Sequence, residues 1–177
     1  MRIFSESRIS HPQEAVYAAY RDRLPEIAAY IPDVKAIVQK TREDVAPGEI
    51  KIHNEWIADR DVPFFARGFL KPEMLRWDDF AHWKDAEGAV HWRLKLRIFT
   101  DSVTCGGVNR FVADGVEHTR VVLDGDLAID LATVPGVPSF LAGGLRPKLE
   151  QFIVGLITPN LERVNQSLQQ FLDDHGG

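Results

Sequence analysis

Between Val34 and Leu131 apolar and polar residues alternate with a period of about two, as they do in strands with one dry and one wet face. The pattern predicts strands at 34–45, 49–59, 74–84, 89–99, 103–113 and 116–131. Ala46-Pro47-Gly48-Glu49 separates the first two, proline presetting φ and glycine accepting a positive one. Asp85-Ala86-Glu87-Gly88 and Ala113-Asp114-Gly115 close two further hairpins. Arg2 to Ser10 alternates more loosely and predicts an opening strand. Ser10-His11-Pro12-Gln13 reads as a capping box for a helix reaching about Arg21. A second helical piece starts at Leu24-Pro25-Glu26 and stops at Ile31-Pro32, because a residue before proline avoids the α region. Residues 60–73 break the pattern: Val62 to Leu70 is apolar but interrupted by Pro63 and Gly68, which suits a loop or short helix laid over something apolar.

After Pro135-Gly136-Val137-Pro138 the period lengthens to about 3.6. Leu145, Leu149, Phe152, Ile153, Leu156, Ile157, Leu161, Val164, Leu168 and Phe171 then form one apolar stripe, predicting a helix from about Leu145 to Asp174. Pro159 lies inside it, and Gly155 four residues earlier is expected to leave room for the ring, giving a kink rather than a break. The resulting fold class is α+β: a curved seven-stranded antiparallel sheet wrapped around a long C-terminal helix, with two short helices after the first strand. A sheet with one apolar face needs a cover, and that helix is the one element large enough. A pocket is expected between them.

Hairpin register sorts the faces. Opposing Trp83 to Trp92 sets Ala81 against Leu94, Asp79 against Leu96 and Trp77 against Ile98 on the inner face, with Arg76, Asp78, His82 and Lys84 outside beside His91, Arg93, Lys95 and Arg97. The next hairpin is expected to oppose Phe111 to Glu117, Asn109 to Thr119, Gly107 to Val121 and Cys105 to Leu123. The expected cavity lining is Asn54, Trp56, Trp77, Trp83, Trp92, Leu94, Leu96, Asn109, Phe111, Val121 and Leu123 from the sheet, with Phe152 and Leu156 from the helix. Many apolar groups and few polar ones make the usual small-molecule site, although plain core is the competing reading for each tryptophan. Asp79 is the candidate catalytic residue, since desolvation raises the pKa of a buried, unpaired carboxylate. Gly106-Gly107 in mid-strand marks a bulge or a close approach to the backbone.

Composition narrows the function classes. With 177 residues and 45% of them hydrophobic, a single domain over 1–177 can bury a sizeable core. A net charge of −5 argues against nucleic acid. Cys105 is the one cysteine, so no internal disulfide forms, which fits a reducing compartment. The chain has no run of 18 apolar residues, so no stable membrane insertion is expected, and localisation is expected to be cytoplasmic. The histidines at 11, 53, 82, 91, 118 and 175 match no metal motif, and neither a nucleophile elbow nor a phosphate loop is present. No metal and no cofactor are therefore expected; a homodimer stays open.

The opening strand running into Ser10-His11-Pro12-Gln13-Glu14-Ala15-Val16-Tyr17, the strand meander and the long final helix together resemble the START/Bet v 1-like (SRPBCC) superfamily. This helix-grip group includes polyketide cyclases and lipid-transfer START domains. The likeness covers nearly the whole chain and is nearest to a bacterial branch with a Phe/Gly-rich segment before the fourth strand, here Phe64 to Leu70. It implies a cavity between sheet and helix for a lipid, sterol, polyketide or other hydrophobic molecule, with Phe64, Phe65, Phe69 and Phe140 at the mouth. The first reading is a non-catalytic binder or carrier of a hydrophobic ligand. The second is a cyclase, dehydratase or hydrolase of an aromatic or polyketide-like substrate, in which Asp79 with Asn54 or Asn109 would orient and protonate it, and the third is a structural or interaction module with a filled core and no accessible cavity.

Overall fold

In the computed structural model, β1 (Arg2–Ile9) leads into α1 (Gln13–Asp22), α2 (Leu24–Ile27) and a 3₁₀ turn at Ala28–Tyr30. Then come β2 (Val34–Ala46), β3 (Glu49–Ala58), β4 (Arg76–Lys84), β5 (Ala89–Leu96), β6 (Val103–Ala113), β7 (Thr119–Ile129) and α3 (Ser139–His175). The structure describes residues 1–68, 70–98, 100, 102–130 and 139–175, without the side chains of 139–146. The sheet has seven strands in the order β1-β7-β6-β5-β4-β3-β2, every pair antiparallel: a meander closed by the return of β1 onto β7. The segment between β3 and β4, broken by proline and glycine, holds two 3₁₀ turns at Phe64–Ala66 and Pro72–Met74.

Inner-face residues of the sheet, among them Trp56, Trp77, Trp83, Leu94 and Leu123, are buried in one cluster with Leu149, Ile153, Leu156, Ile157, Val164 and Leu168 of α3. The period-two and period-3.6 stripes thus meet as expected. Edge strand β2 is exposed from Val38 to Ala46, and Lys40, Arg42, Glu43 and Asp44 on it discourage pairing with another chain.

Every register offset is even, so each side chain keeps its predicted face while its partner changes. Asp85–Glu87 forms a single 3₁₀ turn, and Gly88 at φ 55° brings the chain round at once. The β4–β5 hairpin is therefore two residues tighter than expected: Trp83 opposes Val90, Ala81 opposes Trp92, Asp79 opposes Leu94 and Trp77 opposes Leu96. The β6–β7 hairpin turns later, across 114–118, where the Asp114 amide donates to the His118 carbonyl at 2.9 Å and Gly115 stands at φ 85°. Phe111 opposes Val121, Asn109 opposes Leu123, Gly107 opposes Gly125 and Cys105 opposes Leu127. The expected capping box does not form. Pro12 caps α1 without a side-chain bond, and the Gln13 side chain donates instead to the Phe111 carbonyl at 2.6 Å.

Helix α3 has 37 residues and continues through Pro147 and Pro159. Pro159 has no amide hydrogen to give the Gly155 carbonyl, and Arg60 Nη1 donates to that oxygen at 2.5 Å. The Asp33 carboxylate holds Arg163 at 2.9 Å and lies 3.9 Å from Arg60, so the loop after β3 is clasped to the helix. The expectation that Gly155 seats the proline ring is corrected, because a Cβ there would meet nothing within 4 Å. Gly155→Ala should accordingly stabilise the fold by about 0.5–1 kcal/mol, read as a higher urea midpoint, whereas a glycine needed by the ring would give a loss.

Candidate functional site

Two cavities of about 20 Å³ each lie between the inner face of the sheet and the helices, and Tyr20 and Asp79 wall both. The first is bounded by Trp56, Trp77 and Leu94 of the sheet and by Ile157, Asn160 and Leu161 of α3. The second is bounded by Asn54, Ala81, Trp83, Val90 and Trp92, with Arg21 and Leu24. Each has room for about one water molecule, whereas small-molecule sites span about 300–1,000 Å³. Among the described residues, each of these two spaces encloses a polar spot.

Asp79 sits in mid-strand between Trp77 and Ala81 of the inner row, opposite Asn54 on β3 and Leu94 on β5. Burial pushes its carboxyl up to about 6; the nearby Trp56 and Asn54 side chains and the His53 ring pull the other way by less. Trp56 Nε1 is near enough to favour the charged carboxylate, yet it lies outside hydrogen-bonding geometry and has no partner. Asn54 Oδ1 and Asn160 Oδ1 are likewise buried and unpartnered. Asn160 Nδ2 donates to the Leu156 carbonyl at 2.8 Å, which orients the amide and leaves its oxygen free. Buried polar groups in folded proteins are almost always paired, so this concentration of exceptions is informative.

Asn109 is bonded at both ends of its amide. Its Oδ1 accepts from Trp92 Nε1 at 2.9 Å, and its Nδ2 donates to the Tyr20 hydroxyl at 3.4 Å. Burial, then the Asp79 charge, raises the pKa of Tyr20, keeping its hydroxyl protonated and able to donate. The Tyr20 ring is set by Trp83 and Phe111, each 5.6 Å away between centroids. Trp56 and Trp77 stack at 5.6 Å. The mid-strand glycines admit Trp92: a Cβ on Gly107 would stand 2.8 Å from its ring, and one on Gly125 3.0 Å from it.

Of the predicted lining, Trp56, Trp77 and Leu94 border the first cavity and Asn54, Trp83 and Trp92 the second. Leu96, Asn109, Phe111, Val121, Leu123 and Leu156 are buried around them without bordering either, and Phe152 packs on the same core half-buried. Phe64 is 87% exposed and Phe65 is half-buried beneath Lys148 Nζ, 6.0 Å from its ring centre. Phe69 and the Phe140 side chain lie outside the described residues. Sequence reasoning missed Tyr20 and Asn160. The signal for Asn160 was present, since it is a polar residue inside the apolar stripe, four after Leu156.

On the outer face, Glu55 is only 3% exposed and is held by Lys40 at 2.6 Å, Arg97 at 2.6 Å and Arg76 at 3.7 Å. The Lys40 ammonium and then the arginines keep its carboxyl below the usual range. His53, His82, His91 and His11 each meet a carboxylate at 2.8 Å, on Asp78, Glu49, Glu87 and Asp173. No three His, Cys, Asp or Glu side chains converge among the described residues. Cys105 is buried and its thiol is pushed up to about 12, which leaves it unreactive. No helix among the described residues is long and apolar enough to cross a membrane.

No family model matches the sequence, and no curated protein matches it. Solved structures do match over the full length. The protein TTHA0849 of Thermus thermophilus superposes with a TM-score of 0.68 at 22% identity, covering 100% of both chains. The ZhuI aromatase/cyclase of Streptomyces sp. R1128 gives 0.64 at 14%, over 100% of this chain and 98% of that one. Norcoclaurine synthase of Thalictrum flavum, solved with dopamine and hydroxybenzaldehyde, gives 0.54 at 11%, over 99% and 87%. The chain therefore has the Bet v 1-like helix-grip fold, as the resemblance implied.

Proposed function

We propose that the protein binds a hydrophobic small molecule between the inner face of the sheet and α3. The observation that carries this reading is the pair of unpartnered polar atoms, Trp56 Nε1 and Asn160 Oδ1, beside the buried Asp79 carboxyl and enclosed by tryptophan, leucine and isoleucine side chains. A core selected for stability alone leaves few such groups unpaired. The same fold carries an aromatase/cyclase and a norcoclaurine synthase, which is consistent with a ligand of the lipid, sterol or polyketide class. The two cavities bounded by described residues are too small for such a molecule, so a ligand that enters them moves α3 or the Arg60-clasped loop outward, with Phe64 and Phe65 at the mouth.

A second reading, a cyclase- or dehydratase-like enzyme, is favoured by one feature. The Asp79 carboxyl, at about 6, can exchange a proton near neutral pH. Asn54, with its oxygen free, would orient the substrate; Asn109, already bonded at both ends, would position Tyr20. Native mass spectrometry of the purified protein, with organic extraction, tests binding. The expected result is a one-to-one adduct with an apolar compound, either co-purified or taken up from a panel of a fatty acid, a sterol and a polycyclic aromatic. An apo mass that persists through that panel contradicts the reading. Turnover lost in Asp79→Asn with binding retained would select the enzyme.

A further inference from the structure

The groups around the first cavity differ in what they offer. Two are donors: Trp56 Nε1, with no partner, and the Tyr20 hydroxyl, whose oxygen faces the Asn109 amide and whose hydrogen is free. Two are acceptors: the Asp79 carboxylate and Asn160 Oδ1, the latter fixed by its sibling nitrogen's bond to Leu156. Trp56, Asp79 and Asn160 are each more than nine-tenths buried, so bulk water does not satisfy them. The remaining walls, Trp77, Leu94, Ile157 and Leu161, have no polar side-chain atom other than the Trp77 indole nitrogen.

We propose that this spot is a subsite for the hydroxyl of an apolar, ring-bearing ligand, a phenol or enol whose oxygen takes the place of one water. A hydroxyl has one hydrogen to donate and two lone pairs to accept with, so it can donate to Asp79 and accept from both Trp56 and Tyr20. Other polar groups fit worse. A carbonyl leaves Asp79 without a donor, a carboxylate meets the Asp79 charge, and an ammonium faces the two donors with no lone pair. The flat walls made by the stacked Trp56 and Trp77 rings suit an aromatic body attached to that oxygen. The inference deepens the binding reading and rests on it.

The test compares 2-naphthol with 2-methylnaphthalene, similar in shape but lacking the oxygen, by titration calorimetry on the full chain. The wild type should bind 2-naphthol about fivefold or more tightly, since a buried donor or acceptor left unpaired costs at least that much. 2-Naphthoic acid should bind more weakly than either. Trp56→Phe and Tyr20→Phe remove one donor each, the first also shortening the wall; both should shrink the preference for 2-naphthol over 2-methylnaphthalene several-fold, whichever way the two affinities move together. Equal binding of the two compounds to the wild type, or a preference untouched by both variants, overturns the subsite while leaving the apolar chamber standing. Binding of neither compound overturns the chamber and the subsite together.

Discussion

Asp79→Asn is expected to stabilise the ligand-free protein by about 2–3 kcal/mol at pH 8 and by only about 0.5 kcal/mol at pH 4. The Asp79 carboxyl is raised from 3.8 to about 6 in the folded state, so between these values the native protein holds a proton that the unfolded chain releases. Stability therefore falls as pH rises through that window, and the full cost is present above it. The amide cannot ionise and escapes the cost. The other groups that act on this carboxyl, Tyr20 on α1, Asn54 and Trp56 on β3 and the His53 charge from the outer face, are common to both proteins and cancel in the difference. Urea unfolding at pH 4, 6 and 8 reads the effect; equal stability at pH 8 would mean that the carboxylate has a partner after all. A stabilising change at an inward position is what a residue kept for binding or chemistry predicts.

Gly107→Ala should act in the opposite direction, with a loss of about 3 kcal/mol. A Cβ at this position would lie 2.5 Å from the Asp124 carbonyl and 2.6 Å from the Gly125 Cα, both backbone atoms of the paired strand, and 2.8 Å from the Trp92 ring. Neither backbone atom can retreat without breaking the β6–β7 ladder, and the ring is held by the Trp92 bond to Asn109. Thermal unfolding followed by near-ultraviolet circular dichroism measures both the loss and any reorientation of the indole. A variant as stable as the wild type would show that the sheet can spread there.

The fold was legible because its signals are local and periodic. Alternation placed every strand, and the change of period after Pro138 announced α3. The faces survived the register error because hairpin offsets of two and four residues preserve parity; how early Gly88 turns and how late the 114–118 loop turns depends on geometry that composition does not specify. The capping box failed for a tertiary reason, the reach of Gln13 to Phe111. At the site, Asp79 stood out as the one acid in the inner row of its strand. Tyr20 and Asn160 did not, since each sits on a helix whose rotation against the sheet is fixed only by packing. The Trp92 pocket was visible as glycines, but nothing nearby in sequence names the ring that fills it.

The four tryptophans provide the most direct test of where a ligand goes, because all four indoles line the inner face. In ¹H–¹⁵N spectra of labelled protein titrated with 2-naphthol, the indole signal of Trp56 should shift saturably and furthest, with Trp77 following. If all four indole signals stay in place while 2-naphthol binds elsewhere, or if it does not bind at all, a ligand chamber between sheet and helix is contradicted.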